Sequence, residues 1–149
     1  MESSFQQQEN NAQRPVLLTV LCILTFIGSG LSSFANLLLF FYYDVIKNLF
    51  ESGQFRFMEG TVEMESFKLV MGITPVFFLF QGILYFISLL GAILMWKLNK
   101  TGFHFYAIAQ ILLLIIFELY VPGAPFPVIP LLISIIFILL YYRNLQFMK

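Results

Sequence analysis

Residues 16–43 read VLLTVLCILTFIGSGLSSFANLLLFFYY, a run with no Asp, Glu, Lys or Arg. Wound as an α-helix at 1.5 Å per residue, it would reach ~42 Å, more than the ~30 Å hydrocarbon core of a bilayer. Three other charge-free stretches follow: 69–96, 101–117 and 119–142, the last two separated by Glu118 alone. Each is close to the roughly 20 residues a helix needs to cross a membrane. Only 11% of the chain is charged and 60% is hydrophobic, whereas a water-soluble domain carries about 25% charged residues. The fold class that follows is an all-α membrane protein. Four transmembrane helices, about 16–43, 74–96, 103–121 and 128–142, form an antiparallel bundle. A partly helical, amphipathic outer loop, 44–72, joins spans one and two.

Composition also bounds function. The formal net charge is zero, so nothing points to nucleic acid as a partner. The single cysteine, Cys22, has no partner for an intramolecular disulfide and lies mid-span, where an inert buried thiol is expected. Zinc and iron–sulfur centres need several such ligands, so neither a metal nor a cofactor is expected. Residues 1–14 (MESSFQQQENNAQR) are polar and Gln/Asn-rich, which predicts a flexible tail. They include Glu2 and Glu9 with one Arg14, unlike the basic leader of a signal peptide. The apolar run beyond them is also longer than such a leader's core. The first segment therefore reads as a retained span, opened by Pro15 in a first turn that tolerates it.

The polar residues within the spans fall on faces. In span one, Thr25, Ser29, Ser32, Ser33 and Asn36 recur at steps of three and four, with Gly28 and Ala35 overlapping them. In span two, Thr74, Gln81 and Ser88 are seven apart. Small and hydroxylic residues at this spacing let helix backbones approach and bond across the contact. These faces read as helix-packing surfaces, with a polar groove for a lipid headgroup or small solute as the sharper alternative. Span four has one polar interior residue, Ser134, and reads as the helix most exposed to lipid. Val45, Ile46, Leu49 and Phe50 keep helical spacing, so span one continues as a stem to Ser52-Gly53. Residues 61–71 read as a second short helix, with Lys68 placed to complement its dipole.

The two termini share a side in a four-span chain. That side holds Arg14, Lys97, Lys100, Arg143 and Lys149, while the loop 44–72 carries five acids and three bases. The positive-inside rule then places both termini in the cytoplasm. Three residues invite a transport or ligand role: Glu118, the only acid within a span, together with Gln110 and His104 on the same helix. Glu118 lies near the outer end, where an interfacial pairing with Lys47 or Lys68 is the competing expectation. His104 lies ~21 Å away along the helix, so the two cannot act on one atom. The serines of span one have no His or Lys at their depth to serve as a base. Glu59, Glu63 and Glu65 lack the ligand pattern of a calcium loop and read as a solvated face.

The opening of span one, from Arg14-Pro15-Val16 to Ile27-Gly28-Ser29-Gly30, resembles the start of small four-span membrane proteins of Bacteroidota. The turn Trp96-Lys97-Leu98-Asn99-Lys100-Thr101-Gly102-Phe103 is similar to the connection between their middle spans. The resemblance implies an inner-membrane location and supplies no activity. The functional expectation is a non-enzymatic accessory or structural subunit, set in the lipid bilayer and associating with another membrane protein or with itself. The alternative is a small oligomeric transporter or channel using Glu118 and Gln110.

Overall fold

Why the charge-free stretches become helices is a matter of solvent. In hydrocarbon no water satisfies the backbone, so each spanning segment must bond its own N–H and C=O groups. The computed structural model describes residues 14–54, 60–121 and 126–149, with only the backbone at 62–66. The N-terminal tail through residue 13, Glu59, and the Pro122–Pro125 part of the connection between spans three and four lie outside the described residues, as do the side chains of Glu63 and Glu65. Among the described residues five α-helices occur in chain order: α1 (Val16–Glu51), α2 (Val62–Met71), α3 (Pro75–Trp96), α4 (Thr101–Tyr120) and α5 (Val128–Asn144). No strand occurs among the described residues. All but α2 are long and apolar enough to cross a membrane, α5 together with the 3-10 turn Leu145–Phe147 that continues it. The chain is an integral membrane protein built as a four-helix bundle.

Helix boundaries follow local chemistry. α1 runs 36 residues, ~54 Å at 1.5 Å per residue, so its last turns project past a bilayer. It stops where Ser52 caps it and Gly53 takes a φ of 77°, the left-handed exit that glycine adopts without steric cost. Pro75 occupies the first turn of α3, where a missing N–H costs nothing. The α3–α4 turn carries Leu98 at a φ of 60°, an unusual region for a branched side chain. Asn99 follows, and its Oδ1 accepts the Thr101 N–H at 2.9 Å, closing the turn just before α4. The chain end comes back to this turn. Lys149 donates its N–H to the Leu98 carbonyl at 2.7 Å and accepts from the Lys100 N–H at 3.0 Å.

α3 packs along both α1 and α4, whereas α5 meets α4 and α1 over shorter stretches. Glycines set the tight contacts. Gly82 lies against Leu37 of α1, and Gly91 lies against Gly102 of α4. Apolar side chains gather at the two ends of the bundle. One cluster joins Leu18, Leu21, Cys22, Ala92, Met95, Tyr106, Tyr141 and Met148. The other joins Tyr43, Met71, Phe77 and Phe78, with Phe117 and Tyr120 packed against it. α2 belongs to this second end. Tyr43 donates its hydroxyl to the Met71 carbonyl at 2.6 Å, filling one of the acceptors a helix end leaves open. The polar residues lie between the two clusters.

Candidate functional site

The helix periodicity that aligns Thr25, Ser29 and Ser33 on α1 turns all three inward, and each is buried. Thr25 shares a hydrogen bond with the Tyr141 hydroxyl at 2.8 Å. Ser29 shares one with Ser88 of α3 at 3.0 Å. Ser33 donates to the Gly82 carbonyl at 2.9 Å, an approach that the missing glycine side chain permits. Ser88 also accepts from Gln110 Nε2 of α4 at 3.2 Å. Gln110 Oε1 in turn accepts from Ser134 of α5 at 3.0 Å. One continuous chain, Ser29–Ser88–Gln110–Ser134, therefore ties all four spanning helices near their midpoints. In hydrocarbon each bond of this kind contributes about 0.6 kcal/mol and up to ~1.7, and leaving such a group unpaired there costs several kcal/mol.

Two cavities flank this chain. The outer one, about 330 Å³, is lined by side chains of all four spanning helices, including Asn36, Gln81, Tyr85, Gln110 and Ser134. The inner one, about 290 Å³, includes Thr25, Ser29, Ser32 and Tyr106 in its wall. Tyr85, Gln110, Pro130 and Ser134 border both. The Gln110–Ser134 bond thus forms a bar between two stacked spaces. They exist because α5 is packed closely only at its C-terminal end. Tyr141 and Asn144 are its buried residues, and Pro130 fills its first turn.

The polar side chains expected to pack helices divide into two groups. Thr25, Ser29, Ser33 and Ser88 are consumed in interhelical bonds. Ser32 is half-buried, and its carbonyl accepts from Asn36 Nδ2 at 2.8 Å within α1. Gln81 is buried at 9% exposure, yet its amide bonds to no described residue. Of the residues singled out for transport, only Gln110 enters the layer. Glu118 is exposed, as are Lys47 and Lys68, and no ion pair joins it to either. His104 is exposed at the start of α4, with its ring 5.7 Å from that of Phe103. Neither Glu118 nor His104 lines either of these two cavities. No cluster of three or more potential metal ligands occurs among the described residues.

Sequence reasoning overlooked Tyr85 and Tyr141. Tyr141 sits where an interfacial belt residue is expected, but its ring lies 4.9 Å from that of Tyr106 and it is fully buried. Tyr85 shares a face with Gln81 and Ser88, four before it and three after, and that spacing was the available signal. No protein-family model, curated protein or solved structure matches the chain.

Proposed function

We propose that this chain is a non-enzymatic accessory subunit of the bacterial inner membrane, with both termini in the cytoplasm, that seats a helix of another membrane protein against α1. The observation that carries the reading is the uncovered side of α1. Leu31, Phe34 and Phe41 are each more than half exposed there. Gly28 and Ala35, one heptad apart, are exposed along its flank, and a Cβ placed on Gly28 would meet nothing within 4 Å. Farther out, Ala35, Leu38, Tyr42 and Val45 border an apolar groove of about 510 Å³. Helices in lipid associate through close packing at small residues rather than through hydrophobic drive. A helix offering small residues and a groove along several turns suits that mode of pairing. The basic residues Lys97, Lys100, Arg143 and Lys149 gather at one end, which supports the cytoplasmic orientation.

The test is capture of the full chain from native membranes in mild detergent, followed by mass spectrometry. A defined membrane protein should co-purify with the wild type and be lost from a Gly28→Leu/Ala35→Leu variant that folds normally. A lone monomer that carries solute in proteoliposomes would overturn the reading. A second reading, a small solute path, is favoured by one observation: Gln110 stands between two cavities stacked along the bundle axis. Flux of an uncharged solute through reconstituted protein, abolished by Gln110→Leu, would select it.

A further inference from the structure

Six polar side chains are buried among the described residues: Thr25, Ser29, Ser33, Gln81, Ser88 and Asn144. Five of them have hydrogen-bond partners. Gln81 has none, and it lines the outer cavity. Two further groups with unused bonding capacity border the same space. The Tyr85 hydroxyl bonds to no described residue, and Asn36 uses only Nδ2, leaving Oδ1 open. Unsatisfied donors and acceptors are costly in hydrocarbon, and here they converge on one cavity. From this convergence we infer that the outer cavity binds an uncharged, lipid-phase molecule whose carbonyl and hydroxyl groups bond to Gln81, Tyr85 and Asn36.

Charge decides the class of ligand. Among the described residues no Asp, Glu, Lys, Arg or His borders the cavity, so a phosphate, carboxylate or ammonium group would enter without a counter-charge from them, which burial penalises heavily. Shape decides the rest. Phe77, Leu113, Phe117 and Pro127 supply apolar and aromatic wall beside the amides, the usual composition of a pocket that buries an apolar body and orients it by a few polar contacts. A volume of about 330 Å³ takes a compact polar head with its first carbons, and the remainder of the molecule lies in the bilayer. Two neutral lipid chemistries share these groups, the ester carbonyls and hydroxyl of a diacylglycerol and the ring carbonyls of a quinone. This binding site is separate from the α1 face and stands or falls independently of it.

The experiment uses the full chain in phosphatidylcholine nanodiscs with two photoactivatable probes, a diacylglycerol and a short-tailed quinone. Crosslinks are mapped by mass spectrometry, and a phosphatidic acid of the same acyl length serves as charged competitor. One neutral probe should label α3 or α4 beside the cavity, the excess of the matching unlabelled lipid should suppress that labelling, and phosphatidic acid should not. Gln81→Leu should lower labelling about tenfold, the loss expected for roughly one hydrogen bond. It should also raise the melting temperature of the ligand-free protein, because a buried amide without partners is removed. Tyr85→Phe should lower labelling in the same direction and covers the case where Gln81→Leu fails to fold. Which probe labels distinguishes the diacylglycerol from the quinone. Labelling by neither neutral probe, equal suppression by phosphatidic acid, or undiminished labelling of both variants would overturn the inference and leave the cavity to water.

Discussion

Gly91 and Gly102 meet backbone to backbone across the α3–α4 hairpin. A Cβ on Gly91 would stand 2.7 Å from the Gly102 carbonyl oxygen and 2.8 Å from the Tyr106 nitrogen. The obstructing atoms are main chain, which cannot move aside as a flexible side chain can. Glycine is required here for proximity and not for a special φ. Gly91→Ala should therefore destabilise the bundle by about 1–3 kcal/mol, the usual cost of overpacking, with Gly102→Ala at least as damaging. Gly28→Ala, whose new methyl meets no atom within 4 Å, serves as the matched control and should leave stability unchanged. Thermal or detergent unfolding of the three variants decides the matter, and equal behaviour of all three would remove the close contact from the argument.

The Thr25–Tyr141 hydrogen bond, 2.8 Å long, joins α1 to the one end of α5 that is buried. Tyr141→Phe and Thr25→Val should each reduce stability, and the double variant should lose less than their sum. The coupling expected from intramembrane bonds is about 0.6 kcal/mol, with ~1.7 as an upper bound. Simple additivity in a double-mutant cycle would mean that Tyr141 holds α5 through its ring contacts with Tyr106 and Phe137 alone.

The sequence made the spans legible because charge exclusion is a strong signal over 20 residues. The expected starts at 16, 74, 103 and 128 lie within two residues of the observed ones. The stem of α1 was readable for the same reason that it forms: apolar spacing persists to Phe50, and Ser52-Gly53 ends it. Which faces are polar was also legible, since Thr25, Ser29 and Ser33 obey a four-residue step. Their partners were not. Periodicity gives the direction in which Ser88 points on its own helix, but not that Gln110 and Ser134 arrive from two others at the same depth. The burial of Tyr141 was not legible, because an end-of-span tyrosine has an interfacial role more often than a packing role. Glu118 stood out as the lone acid in a span, yet the exposed side of α4 carries it, whereas uncharged Gln110 reaches the interior.

Four crossings also fix which loops share a compartment. Lys47 on the α1 stem and Lys100 in the α3–α4 turn are both exposed and lie at opposite ends of the bundle. Single cysteines at these positions, in a Cys22→Ala background, should respond oppositely to a membrane-impermeant maleimide. With the termini cytoplasmic, Lys47→Cys labels in intact spheroplasts and Lys100→Cys only after permeabilisation. The reverse pattern would invert the orientation. Labelling of both from one side would break the four-span arrangement itself. The wild-type chain should stay unlabelled throughout, because Cys22 is fully buried.

Arg14 gives a spectroscopic handle on the end of the bundle that holds the α3–α4 turn. Its guanidinium carbon lies 3.8 Å above the centroid of the Trp96 ring, and its Nε is buried without a hydrogen-bond partner. The aromatic face therefore takes the place of an acceptor, a role that a flat, weakly hydrated guanidinium fills better than an ammonium. Trp96 is the only tryptophan in the chain, so its emission reports this contact without interference. Arg14→Ala should shift that emission and lower stability by about 0.5–2 kcal/mol. Arg14→Lys should keep the charge but restore only part of both, since the stacked geometry is lost. The Phe26 ring, 5.5 Å from Trp96 on its own centroid, remains in every variant and holds the indole in place. An emission spectrum unmoved by Arg14→Ala would show that Trp96 is set by Phe26 and the surrounding apolar cluster, with the arginine a bystander.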